Sequence, residues 1–233
     1  TVTHSANIDG AGTLKVAGTI TLDEAIGGNT DLGILDLDGS LSSTAAIKGD
    51  VLDLDGTLAT ATTVEFDSTS NLNGAMTTTG AVTLTGASTL GGASTITTSN
   101  DIVAFASTVN GSNNLTIDSG TAATNFDGIV GGASGQGVGA IALTGALDLD
   151  AAITDAESIS VSLASDIGAA ITTTGTAATT MTFSDVANIS AAAVLTTANT
   201  NISLEQVTGA NTLTLVAGTG DITTSAAMTQ VTT

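Results

Sequence analysis

Short runs of strictly alternating apolar and polar residues recur along the chain, separated by clusters of glycine and asparagine. Clear examples are residues 35–38 (LDLD), 81–85 (AVTLT), 159–163 (ISVSL) and 211–216 (NTLTLV). A period of two is typical of a strand with one buried face. Gly and Asn readily adopt the positive φ angles that tight corners require. We therefore predict an all-β chain of strands about five residues long, joined by tight corners.

An internal repeat indicates how these strands are arranged. The segment 35–41 (LDLDGSL) returns 17 residues later as 52–58 (LDLDGTL), and 147–150 is again LDLD. Similar blocks begin near Leu115, Val138, Ile159, Met181, Ile202 and Asp221, at intervals of about 20 residues. Such a period predicts a β-solenoid, because one coil cannot bury its apolar side alone and stacking makes the core continuous.

We expect residues 1–233 to form a single elongated β-solenoid (β-helix), either as a segment of a longer chain or as a filament subunit. At about 20 residues per coil, roughly 11 coils stacked at about 4.8 Å give a body about 50 Å long. The absence of proline agrees with this fold, since proline removes a ladder donor.

The apolar residues indicate a narrow and regular core. Trp, Tyr, Cys and Pro are absent and aromatic residues make up 2% of the chain, so Ala, Val, Ile and Leu must fill the interior. A β-sandwich is the alternative, but it usually has larger core residues and an aromatic anchor. A helix over 150–170, capped by Asp150, is a local alternative to the strand pattern. We expect Phe66, Phe105, Phe126 and Phe183 to fill wider coils or corners of the core.

The charge excludes several classes of partner. The chain has 22 acidic residues against Lys15 and Lys48, a net charge of −20. Nucleic acid is not expected as a partner, because phosphate recognition depends on Lys and Arg, and anionic membranes would repel the chain. Membrane insertion is not expected either, since no run of 18 apolar residues exists. The acidic surface makes cation binding natural.

The most specific acidic feature is the pair of LDLD strands. If Leu35 and Leu37 point inward, Asp36 and Asp38 point outward, and the offset of 17 stacks them on Asp53 and Asp55. Like charges about 5 Å apart repel by roughly 1 kcal/mol even in water. A Ca²⁺ ion takes six to eight oxygen ligands and would cross-link the coils. The sequence thus predicts Ca²⁺ as the one candidate cofactor, at Asp36, Asp38, Asp53 and Asp55, with a solvated acidic face as the alternative.

The residue inventory argues against an enzyme. His4 is the only histidine and there is no cysteine, so neither a zinc site nor a Cys–His nucleophile can form; we expect His4 at the surface. Acidic clusters occur at Asp23–Glu24 and at Asp148, Asp150, Asp155 and Glu157. Paired carboxylates can hydrolyse glycosidic bonds, but such sites usually hold the sugar with aromatic residues and arginine.

Several Thr-x-Thr pairs suggest a binding face instead. They occur at Thr19/Thr21, Thr83/Thr85, Thr95/Thr97 and Thr212/Thr214. A ladder of such pairs on one solenoid face resembles ice-binding proteins, although the sequence spacing here is irregular. The alternative explanation is the ordinary preference of Thr for solvent-facing strand positions.

The Thr-, Ala-, Gly- and Asn-rich strands, the varying coil length and the absence of Cys resemble bacterial β-solenoid surface and fibre proteins. These include filamentous-haemagglutinin-like adhesins, autotransporter passengers and S-layer-like low-complexity proteins. The resemblance is compositional; it implies an extracellular or cell-surface location and a structural or adhesive role, and it transfers no functional residue.

The sequences of the two ends predict how the chain assembles. Solenoids usually cover their ends with caps, whereas 1–9 and 219–233 have strand-like sequences. We expect a secreted structural protein whose main partner is itself, stacked head to tail in a filament, sheath or surface layer. A segment excised from a longer chain would look the same. The alternative function is an adhesive module of a larger surface protein that binds ice or surface glycans.

Overall fold

The computed structural model describes residues 2–4, 7–132, 137–226 and 228–229, and within them regular structure is β-strand throughout. In chain order the strands are β1 (Val2–His4), β2 (Thr13–Val16), β3 (Thr19–Leu22), β4 (Leu32–Leu37), β5 (Ser40–Ser43), β6 (Ile47–Leu54), β7 (Thr57–Ala61), β8 (Val64–Leu72), β9 (Ala75–Thr78), β10 (Val82–Leu84), β11 (Ser88–Leu90), β12 (Ser94–Thr97), β13 (Val103–Phe105), β14 (Val109–Asn110), β15 (Leu115–Phe126), β16 (Val138–Leu149), β17 (Ile153–Val161), β18 (Ser165–Ile167), β19 (Ile171–Thr173), β20 (Thr179–Ile189), β21 (Ala193–Thr197), β22 (Asn201–Thr208), β23 (Leu213–Val216) and β24 (Ile222–Thr224).

These strands form a β-solenoid of about ten turns with about 20 residues per turn. Each pairing between described strands is parallel and joins one coil to the next, as in β4 with β6 and β6 with β8. The predicted solenoid is therefore confirmed, with about ten turns against the roughly 11 expected. The sandwich alternative is wrong, because a sandwich is built from antiparallel sheets.

The stacked strands form three columns, which we call faces C, B and A in the order in which each coil visits them. Each face is identified below by one inward-facing residue from every coil. Face C contains Ile8, Ile26, Ile47, Val64, Val82, Val103, Thr124, Leu147, Ser165, Ala187 and Val207. Face B contains Leu14, Leu35, Leu52, Ser70, Ser88, Val109, Val130, Ile153, Ile171, Leu195 and Leu215. Face A contains Ile20, Leu41, Leu58, Met76, Ile96, Ile117, Leu143, Val161, Phe183 and Leu204.

The core is one continuous cluster along the axis, made almost entirely of small and medium aliphatic side chains. The four phenylalanines are the exceptions, and all are at most 1% exposed, as expected from the sequence. Phe105 and Phe126 are neighbours on face C, with ring centroids 5.3 Å apart. Phe66 follows Gly49 on the same face, where a Cβ atom would come within 2.9 Å of the Phe66 ring. The missing side chain at Gly49 therefore makes room for a larger one in the next coil.

The corners absorb the variation in coil length. Hydrogen bonds between neighbouring coils join residues 17 apart at Gly145 and Ser162 but 26 apart at Asn114 and Ala140. Asn100 adopts a φ of 64° and lies one coil before Gly120, whose φ is 62°. The Asn100 side-chain oxygen accepts a hydrogen bond from the Thr121 amide at 3.0 Å. Asn and Gly thus supply the predicted left-handed corner positions and link one corner to the next.

The segment 150–170, for which a helix was an alternative, is extended. It contains all of β17 and β18, and Ile153, Ile159 and Ser165 point into the core on faces B, A and C in turn. The alternating pattern, and not helix propensity, decided the outcome because every coil must present an inward-facing residue to each of the three columns.

Candidate functional site

The four aspartates of the predicted cation site stack as the sequence predicts. Asp36 is in register with Asp53 on the outer surface of face B. The same offset holds at Leu37/Leu54 before the corner and at Ser40/Thr57 after it, which places Asp38 level with Asp55. We call Asp36, Asp38, Asp53 and Asp55 the paired-aspartate patch.

The protein supplies its own partners for this patch. The Lys15 ammonium lies 2.7 Å from a carboxylate oxygen of Asp36 and 2.7 Å from one of Asp38. These two hydrogen-bonded carboxylates raise the pKa of Lys15 above its usual value. On the opposite side, the side-chain amides of Asn71 and Asn73 donate to Asp53 and Asp55 at 2.8 and 3.0 Å. The carboxylates are thus held between one lysine and two amides.

These partners bear on the calcium hypothesis. Throughout the described ranges, no group of three or more His, Cys, Asp or Glu side chains is arranged to hold a metal ion. A Ca²⁺ ion at the paired-aspartate patch would compete with the Lys15 ammonium for Asp36 and Asp38. Calcium binding at Asp36, Asp38, Asp53 and Asp55 stays a prediction, and the lysine already performs the neutralising role for which the ion was invoked.

A shallow groove of about 550 Å³ runs across face B beside the patch. Its lining combines Asp36, Asp53 and Asn71 with the aliphatic side chains of Ile34 and Val51. Ile34 is in register with Val51, so an apolar stripe and a polar stripe run side by side. The volume falls within the range of small-ligand sites, but the groove is open to solvent.

The other acidic residues of interest separate into different surfaces. Asp148 and Asp150 lie at the outer side of face C, whereas Asp155 and Glu157 border a second groove of about 250 Å³. The pattern of the sequence placed these four residues in one cluster; the corner within 150–152 separates them. Asp23 and Glu24 are exposed beyond the end of β3. His4 belongs to β1, and its side chain lies outside the described residues.

The Thr-x-Thr pairs are distributed over all three faces. Thr19/Thr21 and Thr95/Thr97 are on face A, Thr83 is on face C and Thr214 is on face B. Face A nevertheless carries an unbroken outward ladder with one small residue per coil, which we call the hydroxyl ladder. Its members are Thr19, Ser40, Thr57, Ala75, Thr95, Thr116, Ala142, Ser160, Thr182, Ser203 and Thr223.

No member of the hydroxyl ladder is charged, although the chain has 22 acidic residues. The sequence did not reveal it because each coil contributes one residue, and the coil length changes from turn to turn. The corners absorb that change, so the irregular sequence spacing becomes a regular spacing of about 4.8 Å between rungs.

The last described coil exposes residues that belong to the core columns. Ile222 is 46% exposed, whereas Ile202, its in-register neighbour one coil earlier, is fully buried. The Thr229 amide donates to the Val207 carbonyl at 3.0 Å, which sets Met228 level with buried Val207, yet Met228 is 38% exposed. Leu215, the last member of face B, is only partly buried. We call Leu215, Ile222 and Met228 the apolar end.

The apolar end coincides with free backbone edges. In the described part of the chain, β23 pairs only with β21 and β24 only with β22. At the opposite end, β2 pairs only with β4, and Leu14 and Ile8 are partly buried. Among the described residues, the outer edges of β2, β23 and β24 therefore have no ladder partner, and aliphatic side chains of the core lie beside them.

Within the described residues, no helix is long and apolar enough to cross a membrane. Comparison of the chain with protein-family models, with curated protein sequences and with solved structures gave no match. The chain is consequently classified by its β-solenoid architecture.

Proposed function

We propose that the chain is a structural extracellular protein that assembles end to end, with the last coil of one copy stacked on the first coil of the next. The assembly is a filament, a sheath or a surface layer of the kind built by bacterial β-solenoid surface proteins. The observation that carries the proposal is the apolar end: Ile222 and Met228 occupy core-column positions but are 46% and 38% exposed.

The partner in this proposal is a second copy of the chain. The strand edges of β23 and β24 offer the same parallel ladder that joins every pair of described coils. The edge of β2 offers the complementary ladder, next to Leu14 at the first level of face B. Because the two ends differ, the contact between copies is heterologous and repeats without closing, which is how open filaments grow.

The surface chemistry supports end contacts over contacts through the charged faces. With a net charge of −20, two copies repel each other through most of their sides. The apolar end is the place where apolar area and backbone hydrogen bonds are both available to a second copy.

The test compares a variant of the apolar end with a matched control by negative-stain electron microscopy and sedimentation velocity. We expect the wild-type chain to form filaments whose length increases with protein concentration. Ile222→Asp places a charge against the next coil and abolishes them. Ile102→Asp is the control, because Ile102 is equally exposed at 46% but lies along the side of the body, and it leaves filaments intact. Discrete monomers for the wild type at every concentration would contradict the proposal.

A second candidate function is an adhesive module that binds ice or a surface glycan through face A. The hydroxyl ladder favours it, because eleven stacked positions without a charge form a long, regular surface. Between described residues, no hydrogen bond uses a side-chain hydroxyl of the ladder, so these groups are available to a ligand.

This second function predicts that the chain adsorbs to ice or to an insoluble polysaccharide. Thr116→Lys places a charge in the middle of the hydroxyl ladder and abolishes adsorption. Thr83→Lys, on the outer side of face C, is the matched control and retains it. Equal adsorption by the two variants would exclude face A as the binding surface.

A further inference from the structure

A second group of carboxylates lies on the outer side of face C, in the half of the solenoid nearer the C-terminal end. Asp148 is in register with Asp166, and the stack continues to Asn125 on one side and Asn188 on the other. The register of Phe126 with Leu149 sets Asp127 level with Asp150, one corner position further along. We call Asp127, Asp148, Asp150 and Asp166 the acidic ladder.

The acidic ladder repeats the arrangement of the paired-aspartate patch but lacks its partners. Between described residues, none of its four carboxylates pairs with a lysine or accepts a side-chain amide hydrogen bond. Lys15 is engaged with Asp36 and Asp38, and Lys48 is paired with Glu65 at 2.6 Å. Lys48 is on the same face but five rungs before Asp148, about 24 Å away at 4.8 Å per rung.

Two acceptor atoms on either side of Asp148 are buried without a donor. They are Asn125 Oδ1 and Asp166 Oδ1, and neither has a hydrogen-bond partner among the described residues. A buried acceptor without a donor is destabilising, and a charged one more so. Asp148 is the residue between them in the stack, and its carboxyl group becomes a hydrogen-bond donor when it is protonated.

We propose that Asp148 takes up a proton from solvent and, as a neutral carboxylic acid, donates a hydrogen bond to the Asp166 carboxylate, which makes the acidic ladder a pH-sensitive link between coils. The groups that face Asp148 are Asn125 and Asp127 from the preceding coil, Asp150 just after the end of β16 and Asp166 on the following coil. None of them is basic. A carboxyl–carboxylate pair of this kind forms where like charges stand too close for both to ionise.

The electrostatics agree with this geometry. Burial raises the pKa of Asp148 above its usual value, and the neighbouring charges of Asp150, Asp166 and Asp127 raise it further. Because the folded pKa exceeds the unfolded one, the folded chain binds this proton more tightly. The resulting stabilisation is complete below the unfolded pKa and is lost as the pH rises through the folded pKa. The link therefore tightens on acidification.

The first test measures the melting temperature of the wild type, Asp148→Asn and Asp53→Asn at pH 7 and at pH 4.5. Asn mimics the protonated form, so we expect D148N to raise the melting temperature at pH 7, by about 2–4 °C for a chain of this length. The same variant reduces the gain that the wild type shows on acidification. D53N is the control: Asp53 already accepts a hydrogen bond from Asn71 at 2.8 Å, so this variant gives no such rise.

The second test does not depend on any variant folding. A ¹³C NMR titration of the wild-type carboxyl groups should show that the pKa of Asp148 lies above its ordinary value of 3.8. Titration of Asp148 at or below its ordinary value would overturn the proposal. So would a Ca²⁺-dependent rise in melting temperature at pH 7 that D148N removes, because the missing counter-charge would then be a cation and not a proton. Both readouts use the isolated chain and do not depend on whether copies stack end to end.

Discussion

At the scale of single residues, the core columns contain a few hydroxyl groups where aliphatic side chains would be expected. Ser165 lies between Leu147 and Ala187 on face C and is 3% exposed. Its Oγ atom is buried and has no hydrogen-bond partner among the described residues. Ser94 is equally buried at 2%, but its Oγ donates to the Gly92 carbonyl at 3.2 Å. Burial alone therefore does not decide whether a core serine stabilises the fold.

This difference predicts opposite effects for the same substitution. Ser165→Ala removes a buried hydroxyl without a partner and should raise the free energy of unfolding by about 1 kcal/mol. Ser94→Ala removes a satisfied hydrogen bond and should lower it by a similar amount. Chemical denaturation of the two variants measures both values. A loss of stability in S165A equal to that in S94A would show that Ser165 has a partner in solution.

Some of the residue-scale contacts could be predicted from the sequence and others could not. Asp36 stacks on Asp53 as expected, because the two LDLD segments are followed by the similar sequences GSL and GTL and one offset joins them. The contact of Lys15 with Asp36 spans 21 residues, and no repeated motif marks that offset. Thr60 adopts a φ of 65° within β7, where the register with β9 shifts, although a β-branched residue rarely adopts such a conformation. Contacts between coils were thus predictable where the same sequence motif occurs in both coils.

At the scale of elements, neighbouring strands are joined by side-chain pairs on the outer surface as well as by the backbone. Asp–Asn pairs recur: Asn71 donates to Asp53, and Asn29 donates to Asp9 through both its backbone and its side-chain amide at 2.9 Å. The Asn29 hydrogen bonds hold the pKa of Asp9 below its usual value. An amide one coil along the stack neutralises part of the repulsion that a row of aspartates would produce.

Substitution of Lys15 is the strongest test of these electrostatic interactions between neighbouring strands. Lys15→Gln removes the ammonium group between Asp36 and Asp38 and should lower the melting temperature. Because the pKa of Lys15 is raised from its ordinary 10.5, its contribution is complete below that pH and is lost as the pH rises through the folded pKa. The difference between wild type and K15Q should therefore persist at neutral pH and shrink in strong alkali. High salt should also reduce it.

Lys48→Gln is the matched control, since among the described residues Lys48 forms an ion pair with one carboxylate, that of Glu65. It should lower the melting temperature less than K15Q does. Equal melting temperatures for the wild type and K15Q at neutral pH and low salt would mean that the paired-aspartate patch is neutralised by another group.

The strands themselves were the most predictable level of the structure. Alternation predicts the extended segments because every coil must supply inward residues to faces A, B and C, and Ile159 and Val161 do so within the segment where a helix was an alternative. The spatial arrangement of the acidic residues between 148 and 157 was less predictable. Asp148 and Asp155 are seven positions apart in sequence, but a corner between them sends their side chains to different surfaces.

At the scale of the whole molecule, the net charge and the two ends are the features on which the proposed end-to-end stacking depends. The chain has a net charge of −20, and the hydroxyl ladder of face A is one long column of outward positions without a charged residue. The apolar end combines free strand edges with the exposed core-column residues Ile222 and Met228. End-to-end stacking would bury these residues in the same way that each interior coil buries its neighbours.

Electron cryomicroscopy of the assembled wild-type chain tests end-to-end stacking most directly, because it resolves the junction between copies. The account predicts that the rung spacing of about 4.8 Å continues through the junction, with β23 and β24 of one copy paired to the first coil of the next and Ile222 buried. Copies that meet through their sides, with β23, β24 and Ile222 left in solvent, would contradict it.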